Sequence, residues 1–164
     1  ATLNSQFADL QTGRIDLSIT AEPDHQYCEG LAFLPICEDT YSFCMSPVHP
    51  LAKKKKLEPS DLQSYPIKYG QYPYLKVSFA EQLGKYGIHG EEIPGEDSTS
   101  AALNALTDGA LYVIHSLWAY PYRDFFTVVP STISAGLVGV LTRKAHADAV
   151  DDFYQICCAE IASS

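Results

Sequence analysis

The stretch from Tyr41 to Ala52, YSFCMSPVHPLA, constrains the fold most, because its character changes in the middle. Up to Ser46 it alternates as a strand, with Tyr41, Phe43 and Met45 on one face and Ser42, Cys44 and Ser46 on the other. Pro47 and Pro50 then remove two backbone donors, so the run cannot continue as an interior strand. The charged run Lys53 to Lys56 follows, and Glu58, Pro59, Ser60 and Asp61 read as a helix start. A strand that leaves its sheet through His49, Pro50, Leu51 and Ala52 is expected to cross between two lobes.

Strand and helix patterns alternate on both sides of this point. Leu3, Phe7 and Leu10 form a helical stripe that stops at Gly13, and Ile15 to Thr20 alternates as a strand with Ile15, Leu17 and Ile19 on one side. Leu31 to Ile36 and Thr40 to Ser46 read as separate strands after a turn-rich stretch from Ala21 to Gly30. Beyond the expected crossing, Pro66 to Gly70 is a short strand, Val77 to Tyr86 a helix, and Glu91 to Glu96 a strand interrupted by Pro94. Ser98, Thr99 or Ser100 caps a helix carrying Ala101, Leu103, Ala105 and Leu106 and ending at Gly109. Ala110 to Ser116 is apolar enough for a buried parallel strand. Phe125 to Val129 and Gly136 to Thr142 read as two more strands, and Ala147 to Ile161 as a closing helix with Val150, Phe153, Tyr154, Cys157 and Ile161 on one face. The fold class is therefore α/β.

Composition narrows the function classes. The 164 residues are 46% hydrophobic, enough for a core, and no apolar run approaches the roughly 18 residues that a membrane helix needs. With 11 Lys plus Arg against 20 Asp plus Glu, the net charge of −9 opposes direct nucleic-acid binding, which requires a cationic patch. The five cysteines are odd in number and lack zinc-site spacing; they read as thiols of a reducing compartment. Nucleophile-elbow, zincin, phosphate-loop and dinucleotide motifs are absent from the sequence, and adjacent strand residues such as His115 and Ser116 point to opposite faces and cannot act as a base and nucleophile pair. No enzyme, cofactor or metal site is expected.

Several short motifs together resemble the effector-binding domain of LysR-type transcriptional regulators. They are Leu10, Gly13 and Asp16 in LQTGRIDLSIT; the strand Tyr41 to Ser46 followed by His49, Pro50, Leu51 and Ala52; Asp61 and Leu62 ahead of Tyr65, Pro66 and Ile67; and the helix, glycine, strand passage from Ala101 to Ser116. Each is weak alone, and their order and spacing over nearly the whole chain carry the resemblance. The family's winged helix-turn-helix and the first strand, helix and strand of its effector domain have no counterpart in these 164 residues, so the sequence is expected to be part of a longer protein. The family's glycine-rich element usually ends in proline, whereas this chain ends it with His115 and Ser116, which suggests a pocket with its own polar chemistry.

The resemblance implies a periplasmic-binding-protein-like type 2 fold, with two Rossmann-like lobes joined by two crossing strands. Lobe I would take residues 1–46 and 137–164 and lobe II residues 47–136, with Gly136 and Gly139 easing the second crossing. It further implies a small-molecule effector between the lobes, homodimerisation through the apolar faces of residues 2–12 and 101–106, DNA contact only through the absent helix-turn-helix, no membrane, and a cytoplasmic location. Candidate ligand-binding residues are Thr20, Tyr69, Gly70, Ser98, Thr99, Ser100, His115 and Ser116, with Tyr72, Tyr74 and Trp118 as accompanying aromatics. Plainer roles stand beside these: a strand end for Thr20, helix caps for Thr99 and Ser100, a structural imidazole for His115 and core packing for the aromatics. A helix start at Ser98 to Ser100 would favour a carboxylate or other oxyanion, hence a small anionic metabolite. An exported, transport-type solute-binding protein of the same fold is the alternative.

Overall fold

The computed structural model describes residues 3–72, 74–93 and 99–163. The chain divides into two compact units, one comprising Ala1–Glu38, Tyr74–Val77 and Gly136–Ser164, the other Asp39–Pro73 and Ser78–Ala135. Helix α1 (Leu3–Gln11), strand β1 (Leu17–Ala21) and helix α5 (Asp148–Ala162) belong to the first. Helices α2 (Pro59–Leu62), α3 (Phe79–Gly84) and α4 (Thr99–Thr107) and strands β3 (Ile67–Gly70), β4 (Glu91–Ile93) and β5 (Leu111–His115) belong to the second. Two long strands, β2 (Leu31–Met45) and β6 (Thr127–Arg143), run through both. Hydrogen-bonded neighbours follow the order β1-β6-β2-β5-β3-β4.

In the first unit β1 pairs antiparallel with the end of β6, from Leu17 opposite Thr142 to Ala21 opposite Val138. Phe7 and Leu10 of α1 pack on Leu31 and Leu141, with Tyr27 and Tyr74 in an edge-to-face pair beside them. Gly13 adopts a left-handed φ of 75° after α1. Arg143 then takes over the helix end: Nη1 donates to the carbonyls of Leu10 and Ile15 at 2.9 Å each, and Nη2 to Asp16 Oδ1 at 2.8 Å. These bonds tie the Leu10 carbonyl, which also accepts the Gly13 N–H, to the segment leading into β1. The covered side of β1 is the polar one: Ser18 and Thr20 are buried, the Ser18 hydroxyl donating to Gln6 Oε1, while Ile19 is 40% exposed. The alternation predicts the opposite face for the core. It fails because α1, which holds Gln6, covers the serine side.

The second unit is a doubly wound α/β layer. Strands β4, β3 and β5 are parallel, and β5 is antiparallel to β2 from Tyr41 opposite His115 to Cys44 opposite Tyr112. The side chains of Tyr41, Phe43, Met45, Tyr69, Val113 and Phe79 fill one face. Cys44, Tyr112 and Ile114 meet Ala102 and Ala105 of α4 on the other. Leu103, counted in the predicted apolar stripe of α4, is 50% exposed, because the two fully buried alanines set the packing face.

Three sequence expectations are corrected here. His49, Pro50, Leu51 and Ala52 are not a crossing, since they lie inside the second unit and build a 3-10 helix, Pro50–Lys53. The chain changes units within β2, after Glu38, and within β6, after Ala135, and between them Tyr74–Val77 belongs to the first unit. The predicted breaks at residues 37–39 and 130–135 do not exist: β2 runs 15 residues through Pro35, and β6 runs 17 residues through Pro130. Gly139 is the place where the Leu34 carbonyl approaches the β6 backbone.

The His-Pro-Leu-Ala stretch has a local physical reason. His49 is the N-cap, its Nδ1 accepting the Leu51 N–H at 3.2 Å, and Pro50 fills the first helical position, where no donor is needed. The ring lies over Tyr65 with centroids 4.6 Å apart, and burial lowers its pKa below the usual imidazole value. Protonation at Nδ1 would turn the acceptor into a donor and break the cap. A lowered folded pKa favours the neutral ring, so the stabilisation is present above the ordinary value near ~6.5 and is lost as pH falls through the folded value. Urea midpoints are expected to fall between pH 7 and pH 5, and His49→Asn, which keeps a capping oxygen, is expected to flatten that acid limb. An unchanged acid limb in the variant would remove His49 as its cause.

Candidate functional site

The carboxyl end of β5 carries the polar chemistry of the second unit. His115 closes the strand and is 5% exposed, yet neither ring nitrogen has a hydrogen-bond partner. Nδ1 lies 3.5 Å from Asp39 Oδ2 without forming a hydrogen bond, and that oxygen accepts the Leu117 N–H at 3.2 Å. Directly across the ladder, Tyr41 is fully buried, and its hydroxyl also lacks a partner. Burial, reinforced by the charges of Asp39 and Glu81, holds the Tyr41 phenol above its ordinary pKa. Leaving such groups unpaired costs about 1–3 kcal/mol each, so natural folds rarely tolerate several together without a use.

Aromatic rings fix this arrangement. Phe79, the first residue of α3, stacks on Tyr41 at 4.7 Å and on Tyr69 at 5.7 Å, and meets His115 edge-on at 5.5 Å. Trp118, half-buried, meets His115 edge-on at 5.2 Å. Tyr69 is placed by β3 and by Gly90: a side chain at residue 90 would come within 2.6 Å of the Tyr69 ring. Its hydroxyl donates weakly to the Gly90 carbonyl at 3.4 Å, and burial with nearby Glu92 raises its pKa.

Ser116 belongs to the opposite face. Its Oγ lies 2.7 Å from Ser42 Oγ and 3.2 Å from Thr40 Oγ1, a hydroxyl group of three that satisfies itself. His115 and Ser116 thus serve separate clusters, although not as strand neighbours, since β5 ends at His115 and Ser116 opens a 3-10 helix, Ser116–Trp118. Gly70 ends β3 and is buried. Ser98 lies outside the described residues, Thr99 is the first residue of α4, and Ser100 is exposed in its first turn. Thr20 is buried in the first unit with an unpaired hydroxyl. Tyr72 tilts against Phe79, whereas Tyr74 packs on Phe7 and Tyr27 in the first unit.

Sequence reasoning missed Asp39 and Tyr41. Both sit on β2, more than 70 positions from His115, and they join it only through the pairing of β2 with β5. The local signal was a polar entry, Glu38 to Thr40, into a buried run. Among the described residues no group of three His, Cys, Asp or Glu side chains is placed to hold a metal ion, and no helix is long and apolar enough to cross a membrane. All five cysteines are free thiols.

Two α/β units share the long strands β2 and β6, and the second carries an aromatic-walled polar cluster at its strand ends. The chain belongs to the family described as LysR substrate binding domain, whose model matches residues 1–157. This is a regulatory, effector-binding domain of the periplasmic-binding-protein-like type 2 fold. Among solved structures, the effector binding domain of QuiR in complex with shikimate is similar with a TM-score of 0.65 at 16% identity, over 94% of this chain and 77% of that one. The reduced form of the OxyR regulatory domain from Pseudomonas aeruginosa gives 0.64 at 14% identity, over 96% and 80%. Full-length CbnR complexed with its target DNA gives 0.66 at 14% identity, over 98% of this chain and 57% of that one. At these identities the similarity concerns the fold, and the chain spans little more than half of the DNA-bound regulator. No curated protein matches the chain.

Proposed function

We propose that this chain is the effector-binding domain of a bacterial LysR-type transcriptional regulator. In this reading a small molecule is received in the second unit, at the strand end formed by Asp39, Tyr41 and His115, and its binding controls transcription through a DNA-binding segment elsewhere in the protein. The observation that carries it is the pair His115 and Tyr41, buried with three polar atoms lacking partners. A ligand that supplies those partners binds best the conformation that presents them, and such a difference in affinity is the condition for shifting a conformational equilibrium. Phe79, Tyr69 and Trp118 suit a ligand with an apolar or aromatic body. The expectation of an anionic metabolite rests on the first turn of α4, of which Ser98 lies outside the described residues. A homodimeric regulator working in the cytoplasm completes the proposal. The transport-type alternative draws no support from the family match.

A metabolite screen read by thermal shift tests it. A stabilising compound is expected whose effect is lost in His115→Phe, a variant that keeps the ring packing and folds with an unchanged far-UV spectrum. Equal stabilisation of wild type and variant would place the effector elsewhere.

A further inference from the structure

The sign of the fixed charges around the strand end bears on what it receives. Asp39 is largely buried, its side chain 12% exposed, and only one of its carboxylate oxygens is used: Oδ2 accepts the Leu117 N–H and lies 3.5 Å from His115 Nδ1. Among the described residues no donor bonds Oδ1. Oδ1 is not among the fully buried unpartnered atoms and is the oxygen of this side chain left open to a ligand donor. Glu81, in the first turn of α3, adds a further negative charge next to Tyr41.

Lys68, although on the neighbouring β3, pairs with Asp108 and Glu91, and Lys54 with Asp61. Trp118, half-buried, and Phe79 both meet His115, whose Nδ1 lies 3.5 Å from Asp39 Oδ2, and the faces of such rings are electron-rich. Aromatic faces near a carboxylate recognise ammonium and guanidinium groups, while a ligand carboxylate brought to the same place would meet the like charge of Asp39.

Resting on the ligand site proposed above, we propose that the effector carries a cationic nitrogen, a protonated amine or guanidine, received by Asp39 Oδ1 and walled by Trp118 and Phe79. Tyr41 and His115 then bond the polar part of the same molecule, with the phenol hydroxyl free to donate or accept. Recognition is thus of a small amine with an apolar or aromatic body, opposite in sign to what the start of α4 alone suggests.

Thermal shift and calorimetry on the whole chain test this with defined probes: phenethylamine, putrescine and agmatine, each beside a neutral or acidic partner, phenethyl alcohol, 1,4-butanediol and 3-phenylpropionate. At least one amine is expected to stabilise the chain where its uncharged and acidic counterparts do not, and Asp39→Asn, which keeps the acceptor for Leu117, is expected to weaken it tenfold or more. The comparison of amine with alcohol on wild type stands even if Asp39→Asn misfolds. Stabilisation by 3-phenylpropionate that requires His115, with the amines inert, would overturn the cationic ligand while leaving the site intact. Amine binding indifferent to both Asp39→Asn and His115→Phe would overturn the ligand class and the site together. No amine-dependent shift at millimolar concentration would overturn the ligand class.

Discussion

Gly139→Ala is expected to be the most damaging single methyl addition in this chain. Residue 139 pairs with Thr20 in β1, and on its other side β2 comes so close that a Cβ would lie 2.1 Å from the Leu34 carbonyl oxygen and 2.9 Å from the Phe33 ring. Ordinary contact is above 3.4 Å, and the obstacle is strand backbone, which cannot rotate aside as a side chain does. Overpacking a close-packed interior costs about 1–3 kcal/mol and occasionally more; a clash with paired backbone belongs at or beyond the upper end. A loss of about 3 kcal/mol is a large part of an ordinary domain's stability and lowers Tm by about 6–12 °C in a chain of this size. Gly84→Ala is the control. It sits at the end of α3 with nothing within 4 Å of the added methyl and no left-handed φ, so it is expected to leave Tm unchanged or slightly raised. A Gly139→Ala melt within a degree of wild type would mean that β2 and β6 are not packed as described.

Gly139 also marks the limit of what the sequence says. Glycines that end helices are legible because the requirement is local: Gly13 and Gly109 both adopt left-handed φ where the helical patterns stop. A glycine demanded by a carbonyl about a hundred positions away gives no local sign. The same distinction separates elements read correctly from those misread. Ser78 caps α3 through a bond to the Glu81 N–H, and Glu58 and Asp61 form a capping box on α2, all within a few residues. β6 reads as two strands because Pro130 looks like a break, and a proline is a break only where its missing N–H would have met a partner, while β2 is divided at 37–39 although Pro35 reads as part of a strand. Pro35 is exposed and instead offers its carbonyl to the Tyr154 hydroxyl at 2.7 Å, while the Pro130 carbonyl accepts the Leu57 N–H. His115 and Tyr69 were legible as residues at the ends of parallel strands, where such folds place ligands. Asp39 was not, since its role depends on the antiparallel register that sets Tyr41 opposite His115.

Tyr41→Phe is expected to move stability and ligand response in opposite directions. In wild type the hydroxyl is buried with no partner, and burial with the neighbouring Asp39 and Glu81 keeps it in the neutral form. Removing an unsatisfied buried hydroxyl relieves a desolvation cost of about 1–3 kcal/mol, partly offset by the small void left in the ring stack with Phe79. A net gain of about 1 kcal/mol, or about 2–4 °C in Tm, is expected. If that hydroxyl is kept for a ligand, the variant also loses a hydrogen bond made only in the bound state, and affinity for any compound that stabilises wild type is expected to fall about tenfold, roughly 1.4 kcal/mol. A structural hydroxyl held by a trapped water would give the other pattern, with Tyr41→Phe lowering Tm by about 1 kcal/mol equivalent and leaving ligand affinity alone. Chemical denaturation and ligand titration on the same preparations separate the two. A variant less stable than wild type with undiminished binding would remove Tyr41 from the site and leave His115 to hold it with Asp39.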